Sequence, residues 1–207
     1  MLSVHMIKHL DHFQLDIAFE VGNEIVALYG PSGSGKTTIL NSIAGLTRLD
    51  DGYIRLNDRT FIEDGKALIS VQERNIGYVF QSYALFPHMT VWENIAYSMK
   101  DEQMTKSLIE KLGIEHILKQ YPHEVSGGEK QRTALIRALA TKPELLLLDE
   151  PFSALDDETK RTSIEQLLMI HKDWNIPIIF VSHIREEVEL LASRVLHIQD
   201  GKLQEKL

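Results

Sequence analysis

The chain has 207 residues, enough for one substantial hydrophobic core and too few for two comfortable domains. Its 22 Lys and Arg against 30 Asp and Glu leave a net charge of −8, which argues against a broad nucleic-acid-binding face. With no cysteine it can form neither disulfides nor thiolate metal sites.

The N-terminal MLSVHMIKHLDH has no apolar stretch of signal-peptide length and reads as strand and loop. Only a helix would bring His5, His9 and His12 to one face, so the segment does not suggest a zinc site. β-rich stretches follow at Phe13 to Val21 and Glu24 to Tyr29, the second (EIVALY) of the buried type. Thr37 to Leu46 places Ile39, Leu40, Ile43 and Ala44 at helical spacing. From Asp51 to Ser70 the residues alternate, and Asp51-Gly52 and Asp64-Gly65 predict the turns of an antiparallel meander. NIGYVFQ, Asn75 to Gln81, is a strand. Helical pieces are expected at Val91 to Met99 and Thr105 to Leu112, with a stronger helix from Ser126 to Ala140.

Strands and helices then alternate. ELLLLD is a strand, Asp156 to His171 a helix, IPIIFVS a strand, Arg185 to Ala192 a helix, and RVLHIQDGKLQEKL a hairpin around Asp200-Gly201. This alternation predicts an α/β fold with a mostly parallel sheet and helices on both faces. The longest apolar runs, Leu145 to Leu148 and Ile176 to Val181, are strand-sized. Any work at a membrane is therefore expected to go through another chain.

GPSGSGKT, Gly30 to Thr37, fits the phosphate-loop pattern between a strand and a helix. Its backbone N–H groups and the helix start can cradle an anion, with Lys36 reaching the β- and γ-phosphates and Thr37 placing a hydroxyl on Mg²⁺. LLLLDEP delivers two acids at a strand's C-terminal end, where ligands of open parallel sheets collect. Asp149 is placed to hold the Mg²⁺ shell and Glu150 to polarise an attacking water. Gln81 and His183, each at a strand end, can add polar contacts.

A second anion grip stands in VSGGEKQR, Val125 to Arg132. Ser126 and Glu129 form an S-x-x-E capping box, which explains those two residues. Gly127 and Gly128 weaken the same first turn, which makes sense where something large and anionic must approach the N–H groups.

In this order the residues resemble the ABC ATPases, the nucleotide-binding subunits of ABC transporters. Gly30 to Thr38 resembles their Walker A loop, Gln81 their Q-loop, VSGGE their signature LSGGQ and LLLLDEP their Walker B. Ser153 to Asp156 resembles the D-loop, and His183 the H-loop histidine. The likeness spans essentially the whole chain. It implies a single ABC ATPase domain over 1–207: a P-loop NTPase core with a mostly parallel sheet, an antiparallel β meander, and an inserted helical subdomain at about 82–140.

The resemblance also implies ATP and Mg²⁺ as cofactors and ATP hydrolysis as the reaction. Gly30, Pro31, Ser32, Gly33, Ser34, Gly35, Lys36, Thr37 and Thr38 would hold the chain's own ATP. Ser126, Gly127 and Gly128 would hold the ATP of a second copy stacked head to tail in a homodimer. Glu150 would be the catalytic base and His183 the γ-phosphate contact. Thr37, Gln81 and Asp149 would form the metal shell, and Gln81 would link it to the helical subdomain. That subdomain would meet membrane permease subunits, and through them a solute-binding protein, by way of a groove lined by Tyr83 to Ile95, whose aromatics, Phe86 and Trp92 among them, could equally be core. The protein would then sit at the cytoplasmic face of the membrane. RNIGYVFQSYALFPHMTVWENIAY looks like solute-importer ATPases, especially those for molybdate and related oxyanions. The competing class is an ABC ATPase that moves no solute, such as a cell-division or repair clamp.

Three departures stand out. Glu129 replaces the family's usual Gln and is expected to fold back onto the Ser126 N–H. The usual adenine-stacking aromatic is missing from Val4 to His9; Phe13 is the nearest candidate and looks too close to the phosphate loop. The β-rich regulatory domain of many such importer ATPases is not within these residues, so regulation through one is not expected.

Overall fold

The computed structural model describes residues 1–204. The first half runs β1 (Leu2–His9), β2 (Gln14–Val21), β3 (Ile25–Tyr29), α1 (Lys36–Ala44), β4 (Asp51–Leu56), β5 (Arg59–Glu63), β6 (Lys66–Ala67), β7 (Ile76–Val79) and α2 (Val91–Ala96). The second half runs α3 (Glu102–Lys111), α4 (Gly127–Leu139), β8 (Leu145–Asp149), α5 (Asp157–Trp174), β9 (Ile178–Ser182), α6 (Arg185–Leu191), β10 (Arg194–Gln199) and β11 (Lys202–Gln204).

Two sheets result. One is antiparallel, in the order β2-β1-β4-β5-β6. The other, β11-β10-β3-β9-β8-β7, is parallel from β10 to β7, with β11 antiparallel on its edge. Every residue of β8 (LLLLD) and β9 (IIFVS) is buried, as strands covered on both faces must be. β2 instead alternates exposed and buried, the mark of a sheet with one wet face.

The pleat of β8 divides the core in two. Leu145 and Leu147 pack with Ile39, Leu40 and Ile43 of α1 and with the inner face of the antiparallel sheet. Leu146 and Leu148 pack on the opposite face with residues of α2 to α6. One face of the parallel sheet is thus covered by α1 and a second sheet, where the alternation predicts helices. Phosphate loop and acids emerge together because β3 and β8 both flank β9 and point the same way.

The elements match the expectations with some differences. Leu2–His9 forms a full strand that pairs on both sides, with β2 and β4. Asp51-Gly52 opens β4 rather than turning, Gly52 lying opposite Met6. The chain turns instead at Asn57, φ 53°, between β4 and β5. Helix α5 runs on to Trp174, where Asn175 takes φ 49° and returns its N–H to the His171 carbonyl. The last residues of the expected hairpin, 205–207, lie outside the described residues. Among the described residues no helix is long and apolar enough to cross a membrane.

Candidate functional site

The phosphate loop bridges the end of β3 and the start of α1. Gly35 caps α1 with φ 100°, a left-handed conformation that favours glycine, and no side chain caps the helix. The first N–H groups of α1 are therefore free to face the loop. Lys36 is only 5% exposed. Its ammonium donates to the carbonyls of Gly30 at 2.8 Å and Pro31 at 2.6 Å, with Ser34 Oγ at 3.4 Å. Burial lowers the Lys36 pKa, while Glu150 and Asp149 oppose the shift. Ser32, Gly33, Gly35, Lys36, Thr37 and Thr38 line an open cleft of about 290 Å³ whose other wall is Leu10, Asp11, His12, Phe13 and Glu150. Phe13 thus belongs to the cleft: its ring packs between Gly35 and Gly201 without closing the loop.

Across from α1, β8 ends in Asp149, 6% exposed. Asp149 Oδ1 accepts the Thr37 hydroxyl at 3.1 Å, joining the two strand–loop units. Burial raises the Asp149 pKa; the Thr37 bond and Lys36 oppose this, and neighbouring Glu150 adds to it. Glu150 follows with φ 44°, outside the ordinary range for a residue with a side chain. Two groups grip its carboxylate. Gln81 Nε2 donates to Oε2 at 2.9 Å, and His183 Nδ1 lies 3.2 Å from Oε1. The structure therefore brings together Gln81, Glu150 and His183 from the ends of three strands. The bond to Glu150 uses the Gln81 amide nitrogen and leaves the amide oxygen, the atom that can bind a metal, available for the expected shell.

Ser126, Gly127 and Gly128 are not among the residues lining this cleft. The Ser126 amide and hydroxyl each donate to Glu129 Oε2 at 2.7 Å, so Glu129 folds back as its position in the capping box predicts. Its other oxygen meets His116 Nε2 at 3.1 Å, a contact no local motif announces. The glycines have a packing reason as well. A Cβ on Gly128 would stand 2.5 Å from Thr159 Cγ2, and one on Gly127 3.3 Å from the Ala154 carbonyl. Close approach of α5 explains Gly128 at least as directly as an anion does.

Of Tyr83 to Ile95, Tyr83, Val91 and Ile95 are buried in the core, and Ala84 and Phe86 line a surface groove. That groove, about 370 Å³, is completed by Ile76, Tyr78, Phe80, Tyr97, Arg137 and neighbours. Arg137 donates to the carbonyls of Tyr83 and Ala84, each at 2.8 Å, and lies over the Phe86 ring at 5.5 Å. Tyr83 and Ala84 hold φ of 61° and 44°, so the guanidinium clamps a strained turn two residues after Gln81. Sequence reasoning missed Arg137. A basic residue in the last turn of a helix reads as ordinary complement to the helix dipole.

The histidines of the N-terminal segment go separate ways. His5 faces Asp16 at 3.8 Å and His9 binds Asp50 at 2.8 Å. No cluster of three potential ligands occurs among the described residues.

Comparison with known proteins agrees with this geometry. Residues 14–153 match the family model described as ABC transporter. The chain is 44% identical to the molybdenum import ATP-binding protein ModC of Pasteurella multocida, over 99% of this chain and 59% of that protein. It is 43% identical to ModC of Haemophilus influenzae, over 97% and 58% respectively. Against the molybdate/tungstate import ATP-binding protein WtpC of Archaeoglobus fulgidus it is 40% identical, over 99% of this chain and 86% of that one. The chain thus spans less than two thirds of the two ModC relatives. Among solved structures, the dimeric bacterial ABC transporter cassette MJ0796 superposes with a TM-score of 0.81 at 25% identity, covering 99% of this chain and 97% of that one. A family match that takes in the phosphate loop, Gln81, the capped glycines and both strand-end acids, with relatives alike along nearly the whole chain, makes this protein a member of the ABC transporter family.

Proposed function

We propose that the protein is the ATP-hydrolysing subunit of an importer for molybdate or a related oxyanion. One observation carries the chemistry: the Thr37–Asp149 pair and the Gln81–Glu150–His183 group meet beside the phosphate loop. Two adjacent carboxylates, one with a raised pKa, and a neighbouring hydroxyl are hard oxygen donors in need of positive charge, which fits Mg²⁺. Mg²⁺ bound at Thr37 and Asp149 would neutralise phosphate charge. The N–H groups at the start of α1 and Lys36 bind the phosphates. Glu150 takes a proton from the attacking water, and Gln81 and His183 fix the carboxylate that does so.

The sandwich reading explains why one chain has two anion grips. Ser126, Gly127 and Gly128 stand apart from their own cleft, free to close on the ATP of a second copy. Binding then stabilises the closed dimer by linkage, and two identical chains give two-fold symmetry. The groove at Ala84, Phe86 and Tyr97 is the surface we assign to permease subunits. Those subunits would hold the protein at the cytoplasmic membrane face and join it to a solute-binding protein. The oxyanion assignment rests on the ModC and WtpC likenesses.

The test is reconstitution of the chain with its permease in vesicles containing ATP. Uptake of molybdate or tungstate is expected. ATP turnover without uptake of either would overturn the oxyanion assignment. Isolation of a non-permease division or repair partner in place of a multi-span permease would overturn transport.

A further inference from the structure

Glu187, in α6, is 3% exposed, and nothing in the reaction above uses it. Its Oε2 accepts the Ser182 hydroxyl at 2.6 Å, and Ser182 Oγ accepts the Ile184 N–H at 2.9 Å. These two bonds bracket His183, the residue between them. The other carboxylate oxygen of Glu187 has no hydrogen bond and faces Lys160 Nζ at 3.5 Å. Lys160 lies in the first turn of α5, next to the Thr159 that packs on Gly128.

A buried carboxylate is poor material for stability, since an apolar replacement of similar size is often neutral or better. Its single strong hydrogen bond goes to the backbone support of His183. We propose that Glu187 is a positioning residue for His183, acting through Ser182 and itself held by Lys160. The inference rests on the ATPase reading of His183 and Glu150 given above. Glu187 touches neither nucleotide nor water in this account. It sets the direction in which the β9 end presents the imidazole to Glu150, 3.2 Å away.

Steady-state ATPase kinetics on the full chain test this. Glu187→Ala should lower kcat by about tenfold to a hundredfold, the loss expected from a misdirected catalytic group, with KM for ATP within about twofold of wild type. Glu187→Gln should recover most of that loss, because its amide oxygen can still accept the Ser182 hydroxyl. Wild-type kcat in both variants, a Glu187→Gln as slow as Glu187→Ala, or a raised KM at unchanged kcat would each overturn the proposal. If Glu187→Ala does not fold, Ser182→Ala removes the same bond and should show the same kcat loss. His183→Ala separates the two levels. A slow His183→Ala beside a fast Glu187→Ala defeats only the positioning role. A His183→Ala at wild-type turnover defeats the ATPase reading of His183 and the positioning role with it.

Discussion

Gly128→Ala asks which force keeps glycine in the first turn of α4. A Cβ there would stand 2.5 Å from Thr159 Cγ2. Thr159 is not free to turn away, because its hydroxyl lies 2.8 Å from Asp156 Oδ2 and its amide 3.0 Å from Asp156 Oδ1 in the cap of α5. Carbon atoms pack at about 3.5–4.0 Å, so the two helices must part by roughly 1 Å or the cap must open. Overpacking of this kind costs about 1–3 kcal/mol, and alanine's better helix propensity returns at most about 1 kcal/mol. With that return in full the net loss is up to about 2 kcal/mol, or a fall in Tm of up to about 8 °C for a chain of this size. Thermal unfolding followed by circular dichroism measures it, alone and combined with Thr159→Ser, which keeps the hydroxyl on Asp156 and removes the methyl. The combination should cancel most of the Gly128→Ala loss. An equal drop with and without Thr159→Ser would refute the packing argument. ATP turnover measured on the same proteins isolates the other reason for glycine. A double variant that is stable and slow leaves close approach of an anion as what bars a side chain there.

Glu129→Gln should lower ATP turnover only mildly, since its amide oxygen can accept from Ser126; complete loss would contradict the capping account. The Ser126 hydroxyl, followed by its amide and His116, holds the Glu129 carboxyl below its ordinary 4.5. Its contribution to stability is thus present above 4.5 and lost as pH falls through the lower folded value. The stability gap between wild type and Glu129→Gln should close in that acid window, and a gap that widens there would reverse the sign. Lys36→Ala should abolish ATP binding by titration calorimetry, with retained affinity undoing the cradle. Glu150→Gln should accumulate an ATP-bound dimer on size-exclusion at high protein concentration, and a persistent monomer would contradict the sandwich.

The parts of the site written in contiguous residues were legible beforehand. Gly30 to Thr38 carries its loop, its flanking strand and its helix within one short stretch, and Ser126 to Glu129 is a local capping pattern that fixes its own geometry. Pairings across long separations were not legible. His116 reaches Glu129, Arg137 clamps Tyr83 and Ala84, and the burial of Tyr83 depends on how α4 packs. The alternation of inward Leu2, Val4 and Met6 marks β1 as a strand, but its pairing with β2 on one side and the distant β4 on the other is not written in that pattern. The Asp51-Gly52 pair misled for a related reason: a turn dipeptide can also sit in a strand where a neighbouring strand needs close passage.

Glu150 keeps its left-handed backbone at φ 44°. Any side chain there is disfavoured by about 1–2 kcal/mol relative to glycine. Glycine would make the chain sturdier there, and on the proposed role of Glu150 that robustness is given up to keep a carboxylate in place. A search for heat-resistant variants will be drawn to that position as to the other positive-φ residues, and under the proposed chemistry it is one to leave untouched.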